Sequence, residues 1–169
     1  MKKIVFLLVV VALTLSGCEK DDICDAATAT TPRLVIDFYD INTTTPTLKS
    51  VTNLGIVAPP LTTGISFNGV TRIYVPLKTT EDTTTMSFIQ NGADTDATND
   101  NTDILTFNYS RNNVYISRAC GYKMLFNLDT PNGIVQTEPL TPDGAWIKNI
   151  VVVKPNLETE NEVHVQIYF

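Results

Sequence analysis

Along most of the chain apolar side chains recur at every second position in short runs, and each run is closed by glycine, proline, asparagine or a group of threonines. Period two places successive side chains on opposite faces of a strand. Residues 33–40 hold Leu34, Ile36 and Phe38 on one face, and Thr43, Thr44, Thr45 and Pro46 end the run. A weaker strand over 48–57 stops at Pro59-Pro60, and Asn68-Gly69 turns the chain into 70–77, where Ile73, Val75 and Leu77 alternate with Arg72 and Tyr74. Residues 86–90 read as a short strand. Leu105, Phe107 and Tyr109 alternate within 104–109, and Asn112-Asn113 predicts the turn of a hairpin that returns over 114–118. Tyr122, Met124, Phe126 and Leu128 then share a face in 122–128. A Pro- and Gly-bearing segment, 130–144, precedes 145–154, whose run Ile150-Val151-Val152-Val153 predicts a strand buried on both faces. The last strand sets Val163, Val165, Ile167 and Phe169 against His164, Gln166 and Tyr168, which turns His164 toward solvent.

No stretch after residue 17 shows the i, i+3, i+4, i+7 recurrence of an amphipathic helix. The expectation is an all-β, two-sheet antiparallel sandwich of 8–9 strands, immunoglobulin-like in topology, with a generic two-sheet or barrel-like closure as the alternative.

The first residues follow another pattern. Lys2 and Lys3 precede an apolar run over 4–13 and then Ser16-Gly17, the layout of a secretory signal peptide. A membrane helix needs about 20 apolar residues, so the run is too short to span. Leu15-Ser16-Gly17-Cys18 resembles a bacterial lipobox. That resemblance implies cleavage after Gly17 and a covalent lipid on Cys18, the one cofactor-like group expected. Glu19-Lys20-Asp21-Asp22 is similar to the acidic export signal of Bacteroidota lipoproteins, which implies an outer-membrane, cell-surface location. A solvated charged spacer on a periplasm-facing tether is the alternative. The chain divides into a signal peptide, 1–17, a lipidated tether, 18–32, and one β domain, 33–169.

Composition narrows the partners. Losing residues 1–17 removes Lys2 and Lys3 and leaves 152 residues with 10 bases against 18 acids, a net charge near −8. Phosphate binding needs clustered Lys and Arg, so nucleic acid is excluded as a partner. Of three cysteines, Cys18 goes to lipid and Cys24 and Cys120 form a disulfide in an exported chain, two free thiols being the alternative.

Four segments, Cys18-Glu-Lys-Asp-Asp-Ile-Cys24, residues 31–40, Ser117-Arg-Ala-Cys-Gly-Tyr-Lys123 and Glu162-Val-His-Val-Gln-Ile-Tyr-Phe169, together resemble an uncharacterised lipoprotein family of Bacteroidota. The resemblance implies an envelope lipoprotein and carries no activity with it.

Candidates for chemistry are few. His164 is the single histidine, and no G-x-S-x-G motif places a serine beside it. Asp94, Asp96, Asp100 and Asp103 crowd oxygen ligands as Ca²⁺ requires, but Asn99 and Leu105 stand where an EF-hand needs Gly and Glu, so a solvated loop is expected. Tyr39, Tyr74, Tyr115, Tyr168 and Trp146 would stack on sugars if they shared an exposed face. The expected function is therefore non-catalytic: an interaction or structural module of an outer-membrane assembly, with a protein partner in the envelope, or else a surface glycan- or nutrient-binding lipoprotein. Counting strands from the anchor puts 41–47, 78–83, 111–113 and 130–144 at the membrane-distal end. Replacing Cys18 by Ala is expected to abolish incorporation of labelled fatty acid and leave an uncut or soluble species; undiminished labelling would refute the lipobox.

Overall fold

A computed structural model describes residues 23–169, so the expected signal peptide, Cys18 and the Glu19–Asp22 run lie outside the described residues. The chain forms eleven strands and, among the described residues, no α-helix. In order they are β1 (Leu34–Tyr39), β2 (Leu54–Val57), β3 (Ile65–Phe67), β4 (Arg72–Val75), β5 (Thr83–Gln90), β6 (Asn101–Ser117), β7 (Gly121–Leu128), β8 (Ile134–Thr137), β9 (Asn149–Val152), β10 (Asn156–Leu157) and β11 (Val165–Tyr168). One sheet has the order β4-β1-β11-β9, and the other runs β10-β7-β6-β5-β2-β3 with β8 also on β6. This is the two-sheet sandwich expected, with more strands. Its order departs from the immunoglobulin-like one: the first strand is internal, antiparallel to β4 and parallel to β11.

The alternating positions meet between the sheets. Leu34, Ile36 and Phe38 with Ile73, Val75, Val165 and Ile167 pack against Leu54, Ile56, Phe88, Leu105, Phe107, Tyr109, Phe126 and Leu128. Trp146 joins the two layers, its indole N–H donating to the Phe88 carbonyl while its ring lies against Phe38 and Phe169.

β6 corrects the hairpin expected at Asn112-Asn113. Residues 101–117 are one strand, paired with β5 from Asn101 to Asn108 and with β7 from Tyr109 to Ser117. The reversal comes later, at Arg118–Cys120, where Gly121 takes a left-handed φ of 69°. Asn112 and Asn113 are exposed positions opposite Leu125 and Met124, where a long ladder overrides a local turn preference. Asn108 donates its amide to Gly133 O and accepts from Asp129 N–H, so β7 and β8 follow one another along the same side of β6. A Cβ at Gly133 would lie 2.5 Å from Asp129 O, which explains glycine at that rejoining point.

Two burial expectations are also corrected. The run Ile150-Val151-Val152-Val153 is not buried on both faces; β9 is an edge strand bonded only to β11, and Val151 to Val153 are exposed. His164 is not a surface residue but is buried, 1% exposed. Alternation places it on the outer face of the smaller sheet, and the segment before β11 folds back over that face. There Arg33 grips Glu160 through two hydrogen bonds and Lys154 pairs with Glu162. Replacing the fully buried Phe107 by Ala removes a core ring shared with Phe88, and about 3–5 kcal/mol of stability loss is expected, read from the urea midpoint at constant m.

Candidate functional site

Three regions gather the residues that chemistry or binding would use. The first is the end of the arm formed where β6 and β7 continue beyond the sandwich. From Ser110 onward no residue of β6 is buried. At the tip Cys120 lies in the 118–120 turn and is disulfide-bonded to Cys24, with Cα atoms 4.9 Å apart. Residues after Cys24 lie along the arm, and Thr31 Oγ1 accepts the Met124 amide before β1 begins. Tyr115 and Tyr122, directly paired across the ladder, meet edge to face at 5.3 Å near the staple.

This geometry corrects the expected orientation. Asn113 pairs with Met124 beside the segment that leads back to Cys24, and Arg111 holds Asp82 and the Thr79 carbonyl, so 111–113 and 78–82 lie toward the stapled half of the molecule. The end opposite the staple is the β5–β6 loop, because Gln90 pairs with Asn101 sixteen residues from Ser117, about 50 Å along a strand.

The acidic residues of that loop are engaged locally. Asp94 accepts the Asp96 amide, and Asp96 caps the short 3₁₀ turn Ala97–Asn99 by accepting from the Thr98 hydroxyl and amide, which lower its pKa. Asp103 points into the core instead. Its carboxylate accepts from Trp146 N–H, Ile147 N–H and Gln136 Nε2 at 2.7–2.9 Å and is fully buried. Among the described residues no three His, Cys, Asp or Glu are grouped to hold a metal ion.

Buried Asp37 and His164 are likewise paired, whereas the buried Asn101 Oδ1 and Glu138 Oε2 have no hydrogen-bond partner among the described residues. Asp37 binds Arg72 bidentately at 2.5 and 2.8 Å across β1 and β4, and that hydrogen bonding raises the Arg72 pKa. His164 Nδ1 accepts the Val35 amide at 3.0 Å, which assigns a neutral ring with its proton on Nε2. Burial pushes the His164 pKa down, against smaller opposing effects of Glu162, the Thr159 backbone and Glu160.

The aromatic residues do not form one platform. Tyr39 and Tyr168 stack at 5.3 Å on the outer face of the smaller sheet, with Gln166 between their hydroxyls, and Tyr74 lies under the Arg33 guanidinium. Tyr115 is at the arm tip and Trp146 is in the core.

The remaining region is an apolar cleft of about 290 Å³ between the β2–β3 pair and β4, lined by Ile56, Leu61, Ile65, Phe67, Val75 and Met86 among others. Sequence reasoning missed it because β3 is three residues long, although Ile65-Ser66-Phe67 between Gly64 and Asn68 carries the alternation. Gly64 is required there, since a Cβ would lie 1.9 Å from Ile56 O.

A two-layer β-sandwich whose buried Asp103 and His164 are held by backbone amides, joined by the Cys24–Cys120 disulfide to its N-terminal segment, is the class of domain these features define. The chain belongs to a family of unknown function (DUF6452), whose sequence model matches residues 53–169. The match includes the 117–123 and 162–169 segments and begins after Cys24 and β1. No curated protein and no solved structure matches it.

His164 generates a pH prediction. Its folded pKa lies below the ordinary 6.5, so between 6.5 and that lower value the unfolded chain binds the proton more readily and stability falls as pH falls. The melting temperature is expected to drop from pH 7.5 to 5.5, and His164→Asn, which does not titrate, should flatten that slope; an identical slope in the variant would contradict it.

Proposed function

We propose that the chain is a lipid-anchored, non-catalytic lipoprotein of the Bacteroidota cell envelope, held at the outer membrane through Cys18 and acting as an interaction or structural module of an envelope assembly. The observation that carries this reading is that the buried His164 and Asp103, the two groups best suited to chemistry, are committed to the fold. His164 holds the Val35 amide, and Asp103 holds the 146–147 backbone. The Cys24–Cys120 disulfide supports export, because such bonds persist in oxidising compartments. Glu19-Lys20-Asp21-Asp22 supports display on the outer surface.

A second reading, a surface nutrient-binding lipoprotein, is favoured by the cleft, whose apolar lining suits a small apolar molecule better than a glycan. The scattered rings do not favour sugar stacking. Native mass spectrometry of the protein extracted from envelopes in mild detergent separates the two. A stable protein complex is expected; a small added mass on the monomer would transfer the assignment to the cleft, and a bare monomer would count against both.

A further inference from the structure

The disulfide lies where the fold has little for it to hold. β6 runs eight residues past the Tyr109–Leu128 pair, about 25 Å at ~3.3 Å per residue, and Cys120 sits in the turn that ends the arm. The segment bonded to it, residues 23–30, belongs to no strand and is exposed except at Thr28, whose hydroxyl lies 3.7 Å from Cys120 Sγ. Its own order is a local turn, in which Asp25 accepts the Ala27 and Thr28 amides. The packed core begins only at Leu34. Both cysteines line a cleft of about 310 Å³ left between this segment and the arm, with Ile116, Tyr122 and Lys123 on the arm side. The segment is therefore not sealed onto the arm, Cys24 is exposed, and an approaching thiol has an open way to the bond. Disulfides are cleaved by thiolate attack on an accessible sulfur, and exposed bonds form the labile class.

We propose that Cys24–Cys120 is a thiol-exchange site, opened by a dithiol reductant of the envelope, and that the redox state of the pair sets the length of the membrane tether. A thiolate of the reductant attacks Cys24 Sγ, the S–S bond breaks, and Cys120 leaves as a thiolate that takes up a proton. The second thiol of the reductant then displaces Cys24 from the mixed disulfide. The protein gains two electrons and two protons, and the reductant ends as a disulfide. The statement about the tether rests on lipid attachment at Cys18, whereas the exchange does not. With the bond closed, six peptide steps separate Cys18 from Cys24, a reach of at most about 20 Å from the lipid to the arm tip. With it open the reach is measured to Thr31, whose Oγ1 accepts the Met124 amide, thirteen steps from Cys18 and at most about 45 Å. The oxidised domain is held to the bilayer by its arm tip, and the reduced domain stands off from it.

The test uses the full lipidated protein. In a dithiothreitol series followed by maleimide labelling, Cys24 and Cys120 are expected to label while the emission of buried Trp146 stays native. Labelling that appears only together with loss of that emission would mean a bond opened by unfolding and would overturn the proposal. Neutron reflectometry on a supported bilayer reads the tether. On reduction the outer edge of the protein layer is expected to move outward by up to about 25 Å, the difference between the two reaches. A variant carrying Cys24→Ser and Cys120→Ser, with native Trp146 emission, is expected to show the extended layer without reductant. An unchanged layer in both the reduced protein and the variant overturns the tether statement and leaves the anchor standing. Absence of any protein layer refutes anchor and tether together, and the labelling series then decides the exchange alone.

Discussion

The larger sheet depends on the register of β6. Its inward positions, Asp103, Leu105, Phe107 and Tyr109, are buried, and a slip of one residue would exchange them for Thr102, Ile104, Thr106 and Asn108. Asp103 enforces the register chemically. A buried carboxylate is costly unless every oxygen is satisfied, and Asp103 meets Gln136 and the 146–147 amides only in this alignment. That same anchoring seats Trp146 against Phe38 and Phe169, so one carboxylate fixes both the ladder and the piece that joins the two layers.

The legible parts of the fold were those where alternation and burial coincide. In β1, β7 and β11 the inward set Ile36, Phe38, Phe126, Leu128, Val165 and Ile167 follows from period two, and the cysteine pair follows from arithmetic on three thiols. The misses share a cause: pattern reports which side of a strand a residue takes, and says nothing of what lies beside that strand. Asn112 and Asn113 are good turn residues that β7 holds in a ladder. Val151 is apolar yet lies on an edge strand, and His164 takes the outer side as expected but is covered by a segment closed through Arg33 and Glu160. The strands β3, β8 and β10, of two to four residues, are too short for periodicity to register, and the cleft depends on one of them. The arm escapes for the same reason, since Tyr115 is visible as an aromatic residue while alternation sets its partner Tyr122 on an apolar face with Met124, Phe126 and Leu128.

Electrostatics and packing divide the molecule unevenly. The smaller sheet carries polar groups on its outer face, Asp37 with Arg72 and His164 with the Val35 amide, each closed by a specific partner. The larger sheet is closed mainly by aromatic contacts, Phe88 with Phe107 and Tyr109 with Phe126, and extends past its own core. A disulfide at the far end of that extension restrains a part of the molecule that packing does not reach.

The parallel pairing of β1 with β11 gives the chain a particular order of assembly. Ile36 lies beside Val165 and Phe38 beside Ile167, at the centre of the smaller sheet and across almost the whole described sequence. A polypeptide emerging amino end first presents β1 long before its central neighbour exists, and the entropy of closing so long a loop has to be met before either strand gains from the pairing. The meander from β5 through β7 is local and complete much earlier. The domain therefore has a half that is able to form during emergence and a half that waits for the last strand, and a chain threading through a narrow passage stays open on one side until its end is through.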